Sequence, residues 1–284
     1  MEIITKHLTI HEKPIKVHGI STGQVSVKTK FRETTKKGIL AALPFILDRS
    51  FTEWMPIWVW VIELPEGIYI VDTGENSKII EKDYFRSSGY FANWLNTTQF
   101  KFTVKPEEEL DQQLKRIGIQ PDNIKSIILT HLHLDHIDGL KFFNKTPVIV
   151  NKVEWEKPYG DLPKLYPNGF QPSLVSLDSG YHNFEKTSMI AENGDLTFIE
   201  TPGHTHGHSS VLLKTDQGYI LFAGDVVYHQ SQLIENKFSG ANVDFKKAEK
   251  TYATIKQFAN SNRLVFLPSH DKEAGKRLKN METL

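Results

Sequence analysis

The run Thr130-His131-Leu132-His133-Leu134-Asp135-His136 sets three imidazoles and one carboxylate within six consecutive positions after Thr130. All four are good zinc donors, and a metal held by such a set lowers the pKa of water to roughly 7. The chemistry this spacing suggests is metal-assisted hydrolysis. Chance is a poor explanation: with 12 His in 284 residues, an HxHxDH run is expected on the order of once in a thousand such chains. A His-rich surface loop is the bland alternative.

The neighbouring residues say how the donors would be presented. Ile124-Lys125-Ser126-Ile127-Ile128-Leu129 is short, rich in Ile and without helical period, which predicts a buried strand ending at Thr130. His131 and His133 then share one side of an extended segment. Asp135-His136 leads into Ile137 to Phe143 as a turn into a short helix, whose N-terminal end brings both donors near the same point. Three further stretches add donors. The segment from Thr201 to His208 (Thr-Pro-Gly-His-Thr-His-Gly-His) follows the strand-like Leu196 to Glu200; the buried run Gly218 to Gly224 ends at Asp225; and Arg263 to Ser269 ends at His270. Every candidate donor thus lies at the C-terminal end of an apolar strand, and unselected histidines would scatter.

With these residues in view, the chain resembles the metallo-β-lactamase superfamily over nearly its whole length. The Val71-Asp72-Thr73-Gly74 turn, the HxHxDH loop, the Thr-Pro-Gly-His-Thr-x-Gly-His segment, the Gly224-Asp225 strand end and the late His270 occur in that family's order. The resemblance implies an α/β fold, the four-layer αβ/βα sandwich, with metals at the sheet edges. It implies two zinc ions per chain: His131, His133 and His204 hold one, Asp135, His136 and His270 the other, and Asp225 bridges them. Asp72 would orient ligands from behind, although a carboxylate beside Gly74 serves equally well as a cap of its own turn. His206, His208 and His229 receive no ligand role. Asp138 departs from the pattern, standing where a glycine often precedes Gly139, and puts the local turn in question.

A two-metal site sets the reaction class and leaves the substrate open, because lactones, thioesters, phosphoesters and β-lactams all yield to activated water. Tyr228, three positions after Asp225, narrows the field. The resemblance is closest to the N-acyl homoserine lactonases of quorum quenching, in which a tyrosine at this spacing faces the substrate carbonyl and would donate to the developing oxyanion; the alternative is a core tyrosine after a strand. Asp135 would then carry the proton to the leaving alkoxide, making Asp135 and Tyr228 the expected catalytic pair. The runner-up is a glyoxalase II-like thioesterase or another ester hydrolase of the same fold. Its last ligand usually sits in a Gly-His-Glu-Tyr context, whereas this chain reads Pro268-Ser269-His270-Asp271. An inactive metal-binding scaffold is the third reading; its marker would be a lost ligand, and none is lost.

Composition sets limits on partners. At 284 residues with 39% hydrophobic residues, one domain over residues 1–284 is expected. Lys+Arg 34 against Asp+Glu 34 gives zero net charge, so neither nucleic acid nor an anionic membrane is an expected partner. The absence of Cys excludes disulfides and separates the chain from zinc β-lactamases with a cysteine ligand at the position of Asp225. Met1 to His7 has no apolar signal core and no run is long enough to span a bilayer, so a cytoplasmic location is expected. The expected partner is a small-molecule lactone, and homodimerisation stays open.

Strand signals run from Lys16 to Lys28, Pro56 to Glu63 and Gly67 to Val71, the last two joined by a Pro65-Glu66-Gly67 turn; helical patterns cover Glu107 to Ile117, Phe245 to Phe258, and a stretch from Lys272. Two aromatic-rich stretches, Gly38 to Met55 and Asp83 to Phe102, fall outside this alternation and read as long loops. Met55, Phe91 and Trp94 are their candidates for an apolar substrate wall, against the alternative of satellite core or a dimer interface. Leu134 is better placed, since it lies between two donors and must turn toward whatever fills the cleft.

Overall fold

Short apolar runs bounded by turns pair wherever two of them can bury a face, and this chain builds two sheets in that way. The computed structural model describes residues 3–34, 48–191 and 193–284. The first sheet takes β1 (Ile4–Ile10), β2 (Lys13–Val27), β3 (Met55–Leu64), β4 (Gly67–Val71), β5 (Phe100–Thr103), β6 (Ile124–Leu129), β7 (Val148–Asn151) and β8 (Ser173–Val175). Its order is β1-β2-β3-β4-β6-β7-β8, with β5 paired to β2. The second takes β9 (Ser179–Tyr181), β10 (Phe184–Met189), β11 (Leu196–Glu200), β12 (Ser209–Thr215), β13 (Gly218–Gly224) and β14 (Leu264–Pro268), in the order β14-β13-β12-β11-β10-β9.

Why the sheets stack is legible in β3. Its residues are buried on both faces, and the period of two sends Trp58, Trp60 and Ile62 one way and Val59 and Val61 the other. The first set meets Val211, Leu213, Phe222 and Val265 of the second sheet; Trp60 stacks on Trp58 and lies 5.6 Å from Phe222 across the interface. The second set packs with Leu110 and Leu114 of helix Leu110–Arg116 and with Leu134 and Ile137 of helix Leu134–Ile137. On the far side, Leu212 and Leu221 meet helix Phe245–Ser261 through Ala248, Tyr252 and Ile255. Helix, sheet, sheet, helix is the four-layer αβ/βα sandwich expected from the sequence.

Parallel pairing then decides where the chemistry lies. β4 pairs β6 in parallel, Val71 beside Ile128, and β13 pairs β14 in parallel, Gly224 beside Pro268. Parallel neighbours end at the same edge, so Asp72 meets Thr130 and Asp225 meets His270. The Ser209 N–H donates to Thr130 O at 2.9 Å and ties the edge of one sheet to that of the other.

The expected helix from Glu107 splits at Glu109, whose ψ of 143° is extended, into a 3-10 turn Pro106–Glu108 and helix Leu110–Arg116. The segment from Asp83 is not a loop. A 3-10 turn, Tyr84–Ser88, gives way at Gly89 (φ +95°) to helix Tyr90–Gln99, which runs into β5. In the other aromatic stretch, Leu40, Leu43, Phe45, Ile46 and Leu47 lie outside the described residues, whereas Phe51, Trp54 and Met55 lie within them.

The turn after β4 accounts for Asp138. Its φ of −71° is ordinary helical backbone, so no glycine is required there, whereas a Cβ on Gly139 would collide with the backbone oxygen of Thr73. The Asp138 carboxylate accepts from Tyr84 Oη at 2.6 Å, and Asn76 Nδ2 donates to the same phenol at 2.9 Å. Burial and then the Asp138 charge push the carboxyl of Glu75 well above the ordinary carboxylate range. Folded Glu75 therefore keeps a proton that the unfolded chain releases near pH 4.5. The stability this proton gives is complete below that pH and is lost as pH rises toward the folded-state pKa. Glu75→Gln keeps the shape and removes the loss. Urea unfolding of metal-free protein should show the variant more stable than wild type at pH 8, by about 1.4 kcal/mol for each pH unit between 4.5 and the folded-state pKa, or between 4.5 and 8 where that pKa lies higher, with the gap closing near pH 4. Equal stabilities at pH 8 would contradict a protonated Glu75.

Candidate metal centre

Strand ends deliver the donors. His131 lies two positions past the end of β6, His133 is still extended (φ −70°, ψ 151°), and Leu134–Ile137 then winds one helical turn carrying Asp135 and His136. His204 lies on the loop between β11 and β12, Asp225 follows β13, and His270 follows β14. Gly224 takes a φ of +56°, and a Cβ there would strike His208 and Thr130, so glycine is what lets the strand end turn Asp225 inward.

The structure brings all seven residues together. His131, His133 and His204 form one group, Asp135, His136 and His270 a second, and His131, His136 and Asp225 a third between them; within each group the donor atoms lie within 4.8 Å of one another. Asp225 faces both ends. Its Oδ2 is 3.5 Å from His204 Nε2, while its Oδ1 is 3.3 Å from His136 Nε2 and 3.4 Å from His270 Nε2. Asp135 Oδ2 adds a 3.3 Å approach to His270 Nε2. Donors around a tetrahedral zinc, each about 2.0–2.1 Å from it, stand roughly 3.4 Å apart, so these separations fit the ion. His131 Nε2, His136 Nε2 and Asp225 Oδ1 are buried with no hydrogen-bond partner among the described residues, a costly state that a cation relieves.

Outward-facing nitrogens are fixed by the protein. His136 Nδ1 meets Asp72 Oδ2 at 2.8 Å, His131 Nδ1 meets Thr130 Oγ1 at 3.0 Å, His133 Nε2 meets Tyr159 O at 2.9 Å, and His270 Nδ1 meets Pro56 O at 2.9 Å. Each such bond sets the tautomer and turns the other nitrogen toward the donor set, where His133 Nδ1 lies 2.9 Å from His204 Nε2. Asp72 also accepts from Thr130 N at 2.8 Å. Its φ of +62° is unusual for a residue with a side chain and costs on the order of 1–3 kcal/mol, which these buried bonds offset.

Electrostatics differ across the centre. Burial, reinforced by neighbouring imidazoles, holds His131 and His204 neutral, well below the usual histidine range. Burial acts on His136 and His270 as well, but Asp225 and Asp135, with Asp72 for His136, outweigh it; His136 is held well above its usual range and His270 is raised to about 10. That end of the site demands positive charge, which a divalent ion supplies as well as protons do.

Two residues without a sequence signal hold the donors in place. Glu154 is buried and accepts from Leu132 N (3.1 Å), Thr205 Oγ1 (2.6 Å) and Gly207 N (3.1 Å), clamping the loop of His131 and His133 to that of His204. Burial raises its carboxyl to about 7 against the pull of those three donors. His208 lies outside the three donor groups, as do His206 and His229. Its Nε2 accepts the Asp225 N–H at 3.0 Å and its Nδ1 lies 3.0 Å from Thr201 O, so it fixes the backbone of Asp225.

Beside the donors opens a cavity of about 570 Å³ lined by His133, Asp135, Asp225 and His270, together with Tyr228 and Leu134. The Tyr228 ring stacks on His270 at 5.3 Å and 25°. Burial, then the Asp225 and Asp135 charges, push its phenol well above the ordinary range, so it remains a donor. The other wall candidates fall differently. Met55 is buried against Tyr228 with Val25 and Val27. Phe91 and Trp94 pack on each other, 70% and 37% exposed, and do not line the cavity. Leu95 and Asn96 of the same helix do, with Phe100 and Phe102; adjacent helical residues point about 100° apart, and a loop reading could not tell Trp94 from Leu95.

Residues 52–270 match the family described as the metallo-beta-lactamase superfamily. The N-acyl homoserine lactonase of Bacillus thuringiensis is 27% identical over 223 residues, covering 78% of this chain and 84% of that protein. The N-acyl homoserine lactonase AttM of Rhizobium radiobacter is 24% identical over 238 residues, covering 78% and 83%. Among solved structures, an N-acyl homoserine lactone hydrolase with the product N-hexanoyl-L-homoserine at its catalytic metal centre superposes with a TM-score of 0.73 at 22% identity, covering 92% of this chain and 94% of that one. A dizinc quorum-quenching lactonase in complex with its product gives 0.64 at 16% identity, covering 96% and 92%. At these identities the structural likeness speaks for the fold. By a family match that spans most of its length, this chain belongs to the metallo-β-lactamase superfamily.

Proposed function

We propose that the chain is a dinuclear zinc hydrolase that opens the lactone ring of N-acyl homoserine lactones. The observation that carries this reading is Tyr228: a protonated phenol stacked on His270, at the junction of the donor set and an apolar cavity. The relatives named as N-acyl homoserine lactonases support it. His131, His133 and His204 would hold one zinc, Asp135, His136 and His270 the other, with Asp225 shared between them. When bound, the metals supply Lewis acidity and bring the pKa of water from 15.7 to roughly 7.

The chain's own residues do the rest. Tyr228 donates a hydrogen bond to the lactone carbonyl oxygen as negative charge develops there. Asp135, in the cavity lining, takes the proton released as water adds to the lactone carbonyl carbon and returns it to the ring oxygen as the bond between that carbon and the ring oxygen breaks. Leu134, turned from the donors into the apolar wall with Phe100 and Phe102, excludes water and packs on the acyl chain. A glutathione thioesterase is less well served. Among the described residues no Lys or Arg lines the cavity, so an anionic thiol has no partner, and Asp271 is engaged by Arg277 and Gln230 N.

Turnover of homoserine lactones with four to twelve acyl carbons, beside S-lactoylglutathione and a β-lactam, tests the substrate. Homoserine lactones should react fastest, with KM falling along the series by up to about fourfold per methylene, the limit set by about 0.8 kcal/mol for each buried methylene. Faster cleavage of the thioester or the β-lactam would overturn the assignment, and a flat profile would remove the acyl chain from the cavity. Tyr228→Phe keeps the ring stacking and deletes one donor. Loss of such a donor costs roughly 3–4 kcal/mol at most, and less where a metal shares the oxyanion, so kcat should fall about tenfold to a hundredfold with zinc content unchanged. A wild-type rate in this variant would return Tyr228 to the core.

A further inference from the structure

A buried carboxamide holds the backbone of Tyr228. Gln232 lies on helix Gln230–Glu235, is fully buried, and does not line the cavity. Its Oε1 accepts the Tyr228 N–H at 2.8 Å and the His229 N–H at 3.2 Å, while its Nε2 donates to Arg32 O at 2.8 Å. The bond to His229 is what the start of a short helix requires. The other two are not, because Tyr228 and Arg32 lie outside that helix. With an acceptor needed at one end and a donor at the other, the carboxamide has a single orientation. Its far partner belongs to the cavity wall: Phe31, the residue before Arg32, lines the cavity and lies 5.0 Å from the Phe100 ring and 6.4 Å from the Tyr228 ring. The Gly240 N–H donates to Phe31 O at 2.8 Å and fixes that segment in turn.

We propose that Gln232 is a positioning residue that sets how far the Tyr228 phenol reaches toward the lactone carbonyl. The inference rests on the lactonase reading of Tyr228 and adds what keeps that donor in register. Ring packing leaves one direction soft. Tyr228 stacks on His270 with 25° between the ring planes, and near-parallel rings slide over each other at little cost, since each atom pair contributes only about 0.1–0.2 kcal/mol and the next pair replaces it. A hydrogen bond is directional and short in range. The Tyr228 N–H, fixed to Gln232, therefore decides where along this soft direction the ring stops. That position matters because a donor serves an oxyanion only at about 2.7–3.1 Å, and a misplacement of about 1 Å can cost about a hundredfold in rate. Releasing the backbone would spoil the donor while leaving every proposed zinc ligand in place.

The test is a double-mutant cycle on zinc-loaded protein with N-decanoyl homoserine lactone, combining Gln232→Met with Tyr228→Phe. Gln232→Met keeps the length of the side chain and removes its hydrogen bonds. Gln232→Asn keeps a carboxamide, withdraws it by one methylene, and runs through the same cycle, so a methionine variant that fails to fold does not end the test. With Tyr228 present, either change should lower kcat about tenfold, with zinc content unchanged. With Tyr228→Phe already in place the same change should cost little, because the donor it positions is gone. The loss of kcat should thus be at least about fivefold greater in the Tyr228 background than in the Phe background. A smaller ratio overturns the proposal: equal losses in both backgrounds mark a merely structural residue, and no loss in either means that ring packing alone holds the phenol. Failure of the underlying reading has a different signature. A wild type that does not open the lactone, or a Tyr228→Phe variant that opens it at the wild-type rate, removes the lactonase role of Tyr228 and the positioning role of Gln232 with it.

Discussion

Asp225 is the buried charge around which the centre is organised. A carboxylate that is 3% exposed is costly in a protein interior unless partners surround it on every side. The partners come from both sheets. His136, from the first sheet, and His204 and His270, from the second, all stand within 3.5 Å of its oxygens, while His208 holds its backbone N–H. Bringing them to one point requires strands that end together. The parallel pairs β4 with β6 and β13 with β14 do this, and the Ser209 to Thr130 bond keeps the two edges in contact.

From this junction the functions of the site separate. Behind the donors lies a layer of polar residues, Asp72, Thr130, Glu154 and His208, that fixes ring orientation and loop position. In front lies the cavity, where Tyr228 and Leu134 face outward from the centre. Two adjacent positions divide this work: Leu134 turns to the apolar wall and Asp135 to His270, because a single helical turn after an extended His133 sends neighbouring side chains apart. The strained backbone of Asp72 belongs to the same economy of construction: from that conformation its carboxylate reaches both Thr130 and His136.

How much of this was legible in the sequence depends on the range over which each feature is encoded. β3, β4, β6 and β13 were legible because strands buried on one or both faces read as local apolar runs. His131, His133, Asp135 and His136 were legible because residue type and short spacing mark them, and His204, Asp225 and His270 because each follows an apolar strand in the order of the resembled family. Of the residues that position them, Asp72 was legible in the turn after β4 and bonds His136, whereas Glu154 and His208 were given no such role. Glu154 contacts Leu132 and Thr205, which lie 22 and 51 positions away, and His208 looked like one more histidine in a His-bearing loop. Helix Tyr90–Gln99 was read as loop because aromatic and polar residues alternate there without a clear apolar stripe. That reading offered Phe91 and Trp94 as candidates for an apolar wall, whereas Leu95 and Asn96 line the cavity. Gln232 gives no signal in one dimension, since its partner Arg32 lies 200 positions away.

Anomalous diffraction at the zinc edge, from crystals of zinc-reconstituted protein, tests the central claim most directly. The account predicts two peaks, one among His131, His133 and His204 and one among Asp135, His136 and His270, with Asp225 touching both. A single peak, or a second peak held by His206 or His208, would contradict it.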